Sequence, residues 1–428
     1  MTPESFKGFY KKTIAERQEI IAKEFAFTED EKKLLAKEGS LSFNIADRLI
    51  ENVIGTYPLP LGIATNFVVD GKEYVVPFVL EEPSVVAAAS NAAKMSSGFT
   101  TTADDPVMIG QIQLVEIKDS KKAVKAIESK KSEFLEFLKT VDPVLVRFGG
   151  GPKDIKAFVL DTPRGEMIEV QLLVDVRDAM GANAINTMLE KIAPKLEEAT
   201  GAKSRLKIIS NLAIYRKATA KTTWTKEVLE ESVKGAGLEV KGEEIVDRIL
   251  DAYEFAAATQ FRSTTHNKGI MNGIDSVVIA TGNDFRAIES GAHSFAAYGH
   301  EYKPLTKYSK DIKGNLVGEI ELPMALGLVG GATKIHPLAQ LNLKILGVKS
   351  ASELARVIAS VGLAQNFAAL RAIVTTGIQA GHMKLHAKNI AVQAGAKESE
   401  IEAVVAKMVE AKQINQAKAE EVLAELRK

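Results

Sequence analysis

Five short stretches set ionisable side chains beside glycine or small residues, where a ligand can come close to the backbone. Glu81-Glu82-Pro83-Ser84 stands just ahead of the small-residue run 85–94, where an acid can cap a helix N-terminus or serve a ligand. Thr265-His266-Asn267-Lys268-Gly269-Ile270-Met271-Asn272-Gly273 reads as a glycine-bounded loop that brings a lysine to a ligand, or as a tight turn. Ala280-Thr281-Gly282-Asn283-Asp284 follows the strand-like residues 276–279 and puts a carboxylate at a strand end, a common active-site position and a common turn. Asp178-Ala179-Met180-Gly181-Ala182-Asn183 opens a helix with a glycine, a place where a phosphate can sit on free N–H groups. Gly381-His382-Met383-Lys384-Leu385-His386 supplies an imidazole at the foot of the last helical segment, where a lone histidine is more often structural than catalytic. Taken together, the residues describe an α/β enzyme with a Glu, Lys, Asp and His constellation and a nucleotide at Asp178.

Absent motifs narrow the chemistry. No G-x-G-x-x-G and no G-x-x-x-x-G-K-[ST] occurs, so neither a Rossmann fingerprint nor a P-loop is supported. With six His, no Cys and no H-E-x-x-H, a zinc enzyme is not expected; His382 and His386 share a helix face but lack a third ligand, so no metal is expected. Zero cysteine excludes disulfides, iron–sulfur clusters and a thiol nucleophile, and fits a reducing cytoplasm. Lys+Arg and Asp+Glu both number 55, which gives no global attraction to nucleic acid. The N-terminal residues mix acid and base without an apolar core, unlike a signal peptide, and the apolar run 74–80 holds Pro77 and is far too short to span a membrane. The chain reads as a soluble cytoplasmic protein of 428 residues, enough for roughly three units.

The elements that must position these residues follow from periodicity. Ile14, Ile20, Ile21 and Phe25 recur among charges as a helix, and Thr28-Glu29-Asp30-Glu31 resembles a capping box opening a second. Residues 66–76 form two β-rich runs around Asp70-Gly71, a hairpin pattern. The small-residue run 85–94 predicts a centrally buried helix. From 107 to 216 the order is strand (111–114), helix (120–140, with Val124, Ile127, Phe134, Leu135 and Leu138 on one face), strands 155–161 and 166–175, helix 179–199 and strand 206–209. That β-α-β-β-α-β order is the ferredoxin-like motif. Helices 246–258 and 351–369, with glycine-rich turns such as Gly327-Leu328-Val329-Gly330-Gly331, fill 217–376, and beyond Gly377 the chain is helical. The expected fold is an α+β/α/β multidomain chain. A large α/β substrate domain (1–106 and 217–376) is interrupted by a ferredoxin-like cofactor domain (107–216) and followed by a helical C-terminal flap (377–428).

In chain order, Glu51-Asn52-Val53-Ile54-Gly55-Thr56, Glu81-Glu82-Pro83-Ser84, Asp178-Ala179-Met180-Gly181-Ala182-Asn183, His266-Asn267-Lys268-Gly269-Ile270-Met271-Asn272-Gly273, Gly282-Asn283-Asp284 and Gly381-His382-Met383 resemble the motif series of 3-hydroxy-3-methylglutaryl-coenzyme A (HMG-CoA) reductase in its class II form, over about residues 50–395. The resemblance implies a four-electron reduction of the HMG-CoA thioester, through mevaldyl-CoA and mevaldehyde, to mevalonate and free coenzyme A. NADH or NADPH would supply two hydrides in succession. It also implies roles. Lys268 would stabilise the oxyanion, Glu82 donate the proton, Asp284 lie between them and tune both, and His382 protonate the coenzyme A thiolate from a closing flap. Ser84, Arg262 and Asn272 would contact the hydroxymethylglutaryl group or order the lysine, and Lys11 would meet coenzyme A. Asp178, Ala179, Met180, Gly181 and Asn183 would hold the dinucleotide, with Glu51 near the nicotinamide. Lys153 and Asp154 point opposite ways for a ribose 2′-phosphate. Active sites between subunits would make the enzyme a homodimer or a multiple of one. The same site run oxidatively in mevalonate catabolism, and a silent coenzyme A or nucleotide-binding relative, are the competing functions.

Overall fold

Capping boxes start the first two helices. Thr13 and Thr28 each accept the N–H three residues on, and Glu16 and Glu31 return to the cap N–H, opening α1 (Ile14–Glu24) and α2 (Glu29–Ala36). The computed structural model describes residues 3–39, 41–235, 237–377, 387–411 and 413–427. After α3 (Phe43–Leu49) residues 51–60 form no regular element, and β1 (Leu61–Val69) and β2 (Lys72–Val79) then pair antiparallel. Asp70 and Gly71 both take positive φ at the turn, which matches the twist of a two-residue hairpin. Ile21, Ala22 and Phe27 of the N-terminal region make a small core of their own with Val75 of β2.

The small-residue run becomes α4 (Val85–Met95), with Val85, Ala89, Ala92 and Ala93 buried. Strand β3 (Thr100–Ala103) leads into the second unit: β4 (Val107–Val115), α5 (Ser120–Ser129), α6 (Lys131–Val141), α7 (Pro143–Arg147), β5 (Gly151–Thr162), β6 (Gly165–Asp175), α8 (Ala182–Thr200) and β7 (Lys203–Ser210). Its sheet order β5-β6-β4-β7, antiparallel throughout, is ferredoxin-like. The helix expected over 120–140 is two helices that meet at Lys130. The break lets Ile127 of one half and Phe134 and Leu138 of the other all bury fully against the unit.

The chain then returns to the large unit through β8 (Lys217–Trp224), α9 (Lys226–Lys234), α10 (Gly242–Ala258), α11 (Gln260–Ala280), α12 (Phe285–Phe295), β9 (Thr306–Lys310), β10 (Leu316–Pro323), α13 (Gly331–Ile335), α14 (Pro337–Leu346) and α15 (Ala351–Val374). Its sheet runs β3-β8-β10-β9. Helix α15 is long and apolar enough to cross a membrane, yet 72% of its most apolar window is buried inside the protein, which makes it the central core helix. Trp224 of β8 stacks on its Phe367 at 3.8 Å and donates its ring N–H to Ala92 O of α4 at 3.0 Å, tying sheet, α4 and α15 together. Residues 387–393 and the helices Glu398–Glu410 and Gln416–Leu426 form a separate core around Ala391, Val404, Met408 and Val422.

Candidate functional site

Helix α11 carries the lysine. Two expectations from the sequence fail here: 265–273 is not a loop and 276–279 is not a strand, because both lie inside one 21-residue helix. The glycines serve packing rather than turning. A Cβ on Gly273 would meet Gln365 and Val361 of α15 at 3.0 Å, and one on Gly362 of α15 would meet Ile274 at 2.8 Å. The two helices approach through these gaps, and that burial overrides the weak helix propensity of glycine and the β-branched residues. Ser263, His266, Asn267, Ile270 and Ile274 face the interior, leaving Lys268 on the open side beside the unobstructed Gly269.

The buried side fixes that geometry. His266 Nε2 is 2.6 Å from Thr306 Oγ1, which donates to Asn366 Oδ1, and Asn366 Nδ2 returns to His266 O. Burial, helped by the Arg262 charge, lowers the His266 pKa to about 3, so this imidazole is neutral and structural. Asn267 donates to Lys303 O and accepts from Leu305 N, pinning α11 next to Lys268.

Lys268 Nζ reaches Glu82 Oε2 at 3.0 Å. Glu82 therefore engages the lysine instead of capping α4. The cap position belongs to Ser84, which holds the left-handed conformation (φ 76°, ψ −22°) and makes no side-chain cap bond. Its Oγ is buried without a hydrogen-bond partner. A strained backbone and an orphaned hydroxyl two residues from the ion pair mark a place built for a ligand. Arg262 lies on the same helix and is half-buried, with burial alone depressing its guanidinium. Asn272 follows Lys268 by one turn and is half-buried.

Asp284 has its own partners in this chain. It caps α12, accepting from Arg286 N and Ala287 N, and pairs with the Arg286 guanidinium at 3.0 Å. The end of α11 near Asp284 is 12 residues beyond Lys268, about 18 Å along the axis at 1.5 Å per residue. His382 and His386 lie outside the described residues. Lys11 sits exposed on the short turn Phe9–Lys11, its ammonium over the Tyr10 ring, and Glu51 is exposed in the irregular segment before β1.

The dinucleotide candidates gather at one junction. Gly181 (φ 103°) is the N-cap of α8, whose first turn has no acid. A Cβ there would collide with Val176 at 2.5 Å, so only glycine fits the turn. Asp178 is partly committed to the fold, since its Oδ1 accepts from Ala351 N at the start of α15, and its carbonyl accepts from Leu328 N and Val329 N. Asn183 is exposed on the first turn of α8. Lys153 lies 3.5 Å from the buried Asp175, and Asp154 is paired with Lys131, so the carboxylate of the two is already neutralised.

Two groups escaped the sequence analysis. Arg216, buried immediately ahead of β8, donates to Ala179 O, Met180 O and Leu326 O, behind the proposed dinucleotide segment. The second is a chain of side chains that leads from α11 onto α12: Asp275 hydrogen-bonds Glu289, Glu289 pairs with His293 Nε2 at 2.7 Å, and His293 Nδ1 meets Tyr302 Oη at 2.7 Å. Burial and the Glu289 charge push Asp275 far above the carboxylate range, while its bond to His293 holds Glu289 below it, so the shared proton rests on Asp275. Neither had a sequence signal beyond being polar within apolar surroundings.

Similarity to known proteins sets the class first. The structure superposes on class II reductase structures from Streptococcus pneumoniae with TM-scores of 0.83 (42% identity, 98% of this chain and 99% of that one) and 0.80 (42% identity, 97% and 100%), the latter bound to NADPH in open conformations. The fold is thus that of an oxidoreductase. A curated 3-hydroxy-3-methylglutaryl-coenzyme A reductase of Archaeoglobus fulgidus is 56% identical over 98% of this chain and 94% of its own, and a probable one of Borreliella burgdorferi is 36% identical over 80% and 77%. Residues 13–387 match the hydroxymethylglutaryl-coenzyme A reductase family. The chain belongs to that family, in its class II branch.

Proposed function

We propose that this protein reduces HMG-CoA to mevalonate and free coenzyme A with two equivalents of NADH or NADPH. The carrying observation is the Lys268–Glu82 pair at 3.0 Å beside the unpartnered Ser84 hydroxyl. Hydride addition to a carbonyl builds negative charge on its oxygen, and the Lys268 ammonium lowers that barrier for the thioester and again for the aldehyde. Glu82, in contact with Lys268, is the residue from which this oxygen takes its proton. Ser84 Oγ and the Arg262 fork bind the substrate's polar groups, and Asn272 orders Lys268 from one turn away. His382 protonates the departing thiolate, and residues 377–428 close over the site. Lys11 serves the coenzyme A end.

The dinucleotide carries the hydride. Its fit rests on the acid-free first turn of α8 behind the left-handed Gly181 N-cap, whose N–H groups suit a pyrophosphate. Asp178, Ala179, Met180, Gly181 and Asn183 line that place, with Glu51 toward the nicotinamide. On this basis residues 107–216 form the cofactor domain, and 1–106 with 217–376 the substrate domain. Zero cysteine supports a cytoplasmic setting.

In its own chain the Asp284 carboxylate pairs with Arg286 and caps α12; on our reading a second copy brings Asp284 to Lys268, and the active unit is a dimer or a multiple of dimers. The exposed apolar side chains of Ile50, Ile54 and Tyr57 support such an interface. Mixing inactive Lys268→Met and Asp284→Ala proteins under exchange conditions is expected to restore about a quarter of wild-type activity in the whole mixture, since random pairing makes about half of the dimers mixed and each mixed dimer has one intact site of two. Mixed dimers that stay inactive would show that both residues act from one chain.

A further inference from the structure

We infer that Arg216 is a positioning residue that locks the dinucleotide loop, residues 178–181, to the segment 324–329 of the large unit. Arg216 is 5% exposed, and its guanidinium forks onto carbonyls from both sides of the junction. Nη1 donates to Ala179 O at 3.0 Å and Met180 O at 3.4 Å, while Nη2 donates to Leu326 O at 2.5 Å and Arg177 O at 3.5 Å. Four carbonyls from both sides of the junction are gathered by one planar donor group, which neither lysine nor an apolar side chain can imitate. Arg216's own carbonyl accepts from Met324 N, so its main chain is tied to the same segment as its side chain.

The segment it grips touches the proposed dinucleotide loop on one side and the residue before Asp284 on the other. Leu328 N and Val329 N donate to Asp178 O, and Gly327 packs so closely that a Cβ would stand 2.7 Å from Met180 N. On its other side Gly327 N donates to Asn283 Oδ1 at 2.8 Å, one residue before Asp284. A continuous path therefore runs from the cofactor loop through Gly327 and Asn283 to the carboxylate, with Arg216 clamping the cofactor end. The clamp sets where the dinucleotide loop stands against the large unit and leaves the Glu82–Ser84–Lys268 pocket untouched.

The inference rests on the proposed dinucleotide site, and the experiment separates the two. Arg216→Lys, Gly327→Ala and Asp178→Ala are assayed as full-length proteins for KM of NADPH, KM of HMG-CoA and kcat, with NADPH fluorescence titration and thermal melts alongside. Gly327→Ala disturbs the same junction without touching the buried arginine, so it carries the test should Arg216→Lys fail to fold. Arg216→Lys and Gly327→Ala are each expected to raise KM and Kd for NADPH about tenfold, the size of one ordinary lost hydrogen bond, with KM for HMG-CoA within about twofold of wild type. Equal changes in both KM values, or a lowered melting temperature with neither KM moved, would reduce Arg216 to a purely structural residue and overturn the inference. If Asp178→Ala also leaves the NADPH constants unchanged, the dinucleotide site itself is misplaced and the inference falls with it.

Discussion

Replacing Ser84 with glycine should make the protein more stable and a worse enzyme. Ser84 holds φ 76° as a non-glycine residue, and its buried hydroxyl has no partner. The left-handed backbone costs about 1–2 kcal/mol and the unpaired hydroxyl about 1–3 kcal/mol, against about 0.5–1 kcal/mol of extra chain entropy for glycine. The balance is a gain of about 2 kcal/mol in folding stability. If the hydroxyl instead donates to a substrate carboxylate, its loss removes a charge-assisted bond worth about 1.5–3 kcal/mol, which raises KM for HMG-CoA by about ten- to a hundredfold. Denaturant titration and steady-state kinetics on wild type, Ser84→Gly and Ser84→Ala resolve the parts, since alanine removes the hydroxyl but keeps the strained backbone. A Ser84→Gly protein that is less stable than wild type, or that keeps its KM for HMG-CoA, would refute the reasoning.

Glu82→Gln should keep contact with Lys268 but cannot release a proton, so kcat is expected to fall about 10²- to 10⁴-fold. Its stability should change by less than about 1 kcal/mol, because the Lys268 side chain is 61% exposed and the pair is screened; a large loss of stability with normal kcat would contradict that assignment. Asp275 has its pKa raised by burial and Glu289 from 3.8 to about 9. The folded protein thus keeps a proton that the unfolded chain releases, and stability falls as pH climbs from about 4 toward 9. Asp275→Asn cannot ionise yet can still donate to Glu289, so its melting temperature should gain on wild type progressively across that range; a gap that does not depend on pH would rule out the shared proton.

Much of the architecture was legible because its patterns are local. Asp70-Gly71 between β-rich runs, and the strand and helix periods over 107–216, each announce their element without help from distant residues. Helix α11 was not legible, since Gly269, Gly273 and the Val277-Val278-Ile279 run argue for loop and strand until α15 supplies the surface they pack against. The split at Lys130 depends likewise on tertiary packing. For the site, motif order singled out Glu82, Ser84 and Lys268, and the structure sets Lys268 against Glu82. Asp284 was expected between them on the strength of the resemblance, and in this chain its carboxylate caps α12 and pairs with Arg286. Arg216 and the Asp275–Glu289–His293–Tyr302 chain act through carbonyls and shared protons, for which no spacing rule exists.

The central claim is tested most directly by following NADPH and NADH oxidation in parallel with thiol release from HMG-CoA by the purified protein. The account predicts turnover with two nicotinamide equivalents consumed per coenzyme A released, and mevalonate as product. Binding of HMG-CoA to folded, dimeric protein with no oxidation of either nicotinamide would contradict it.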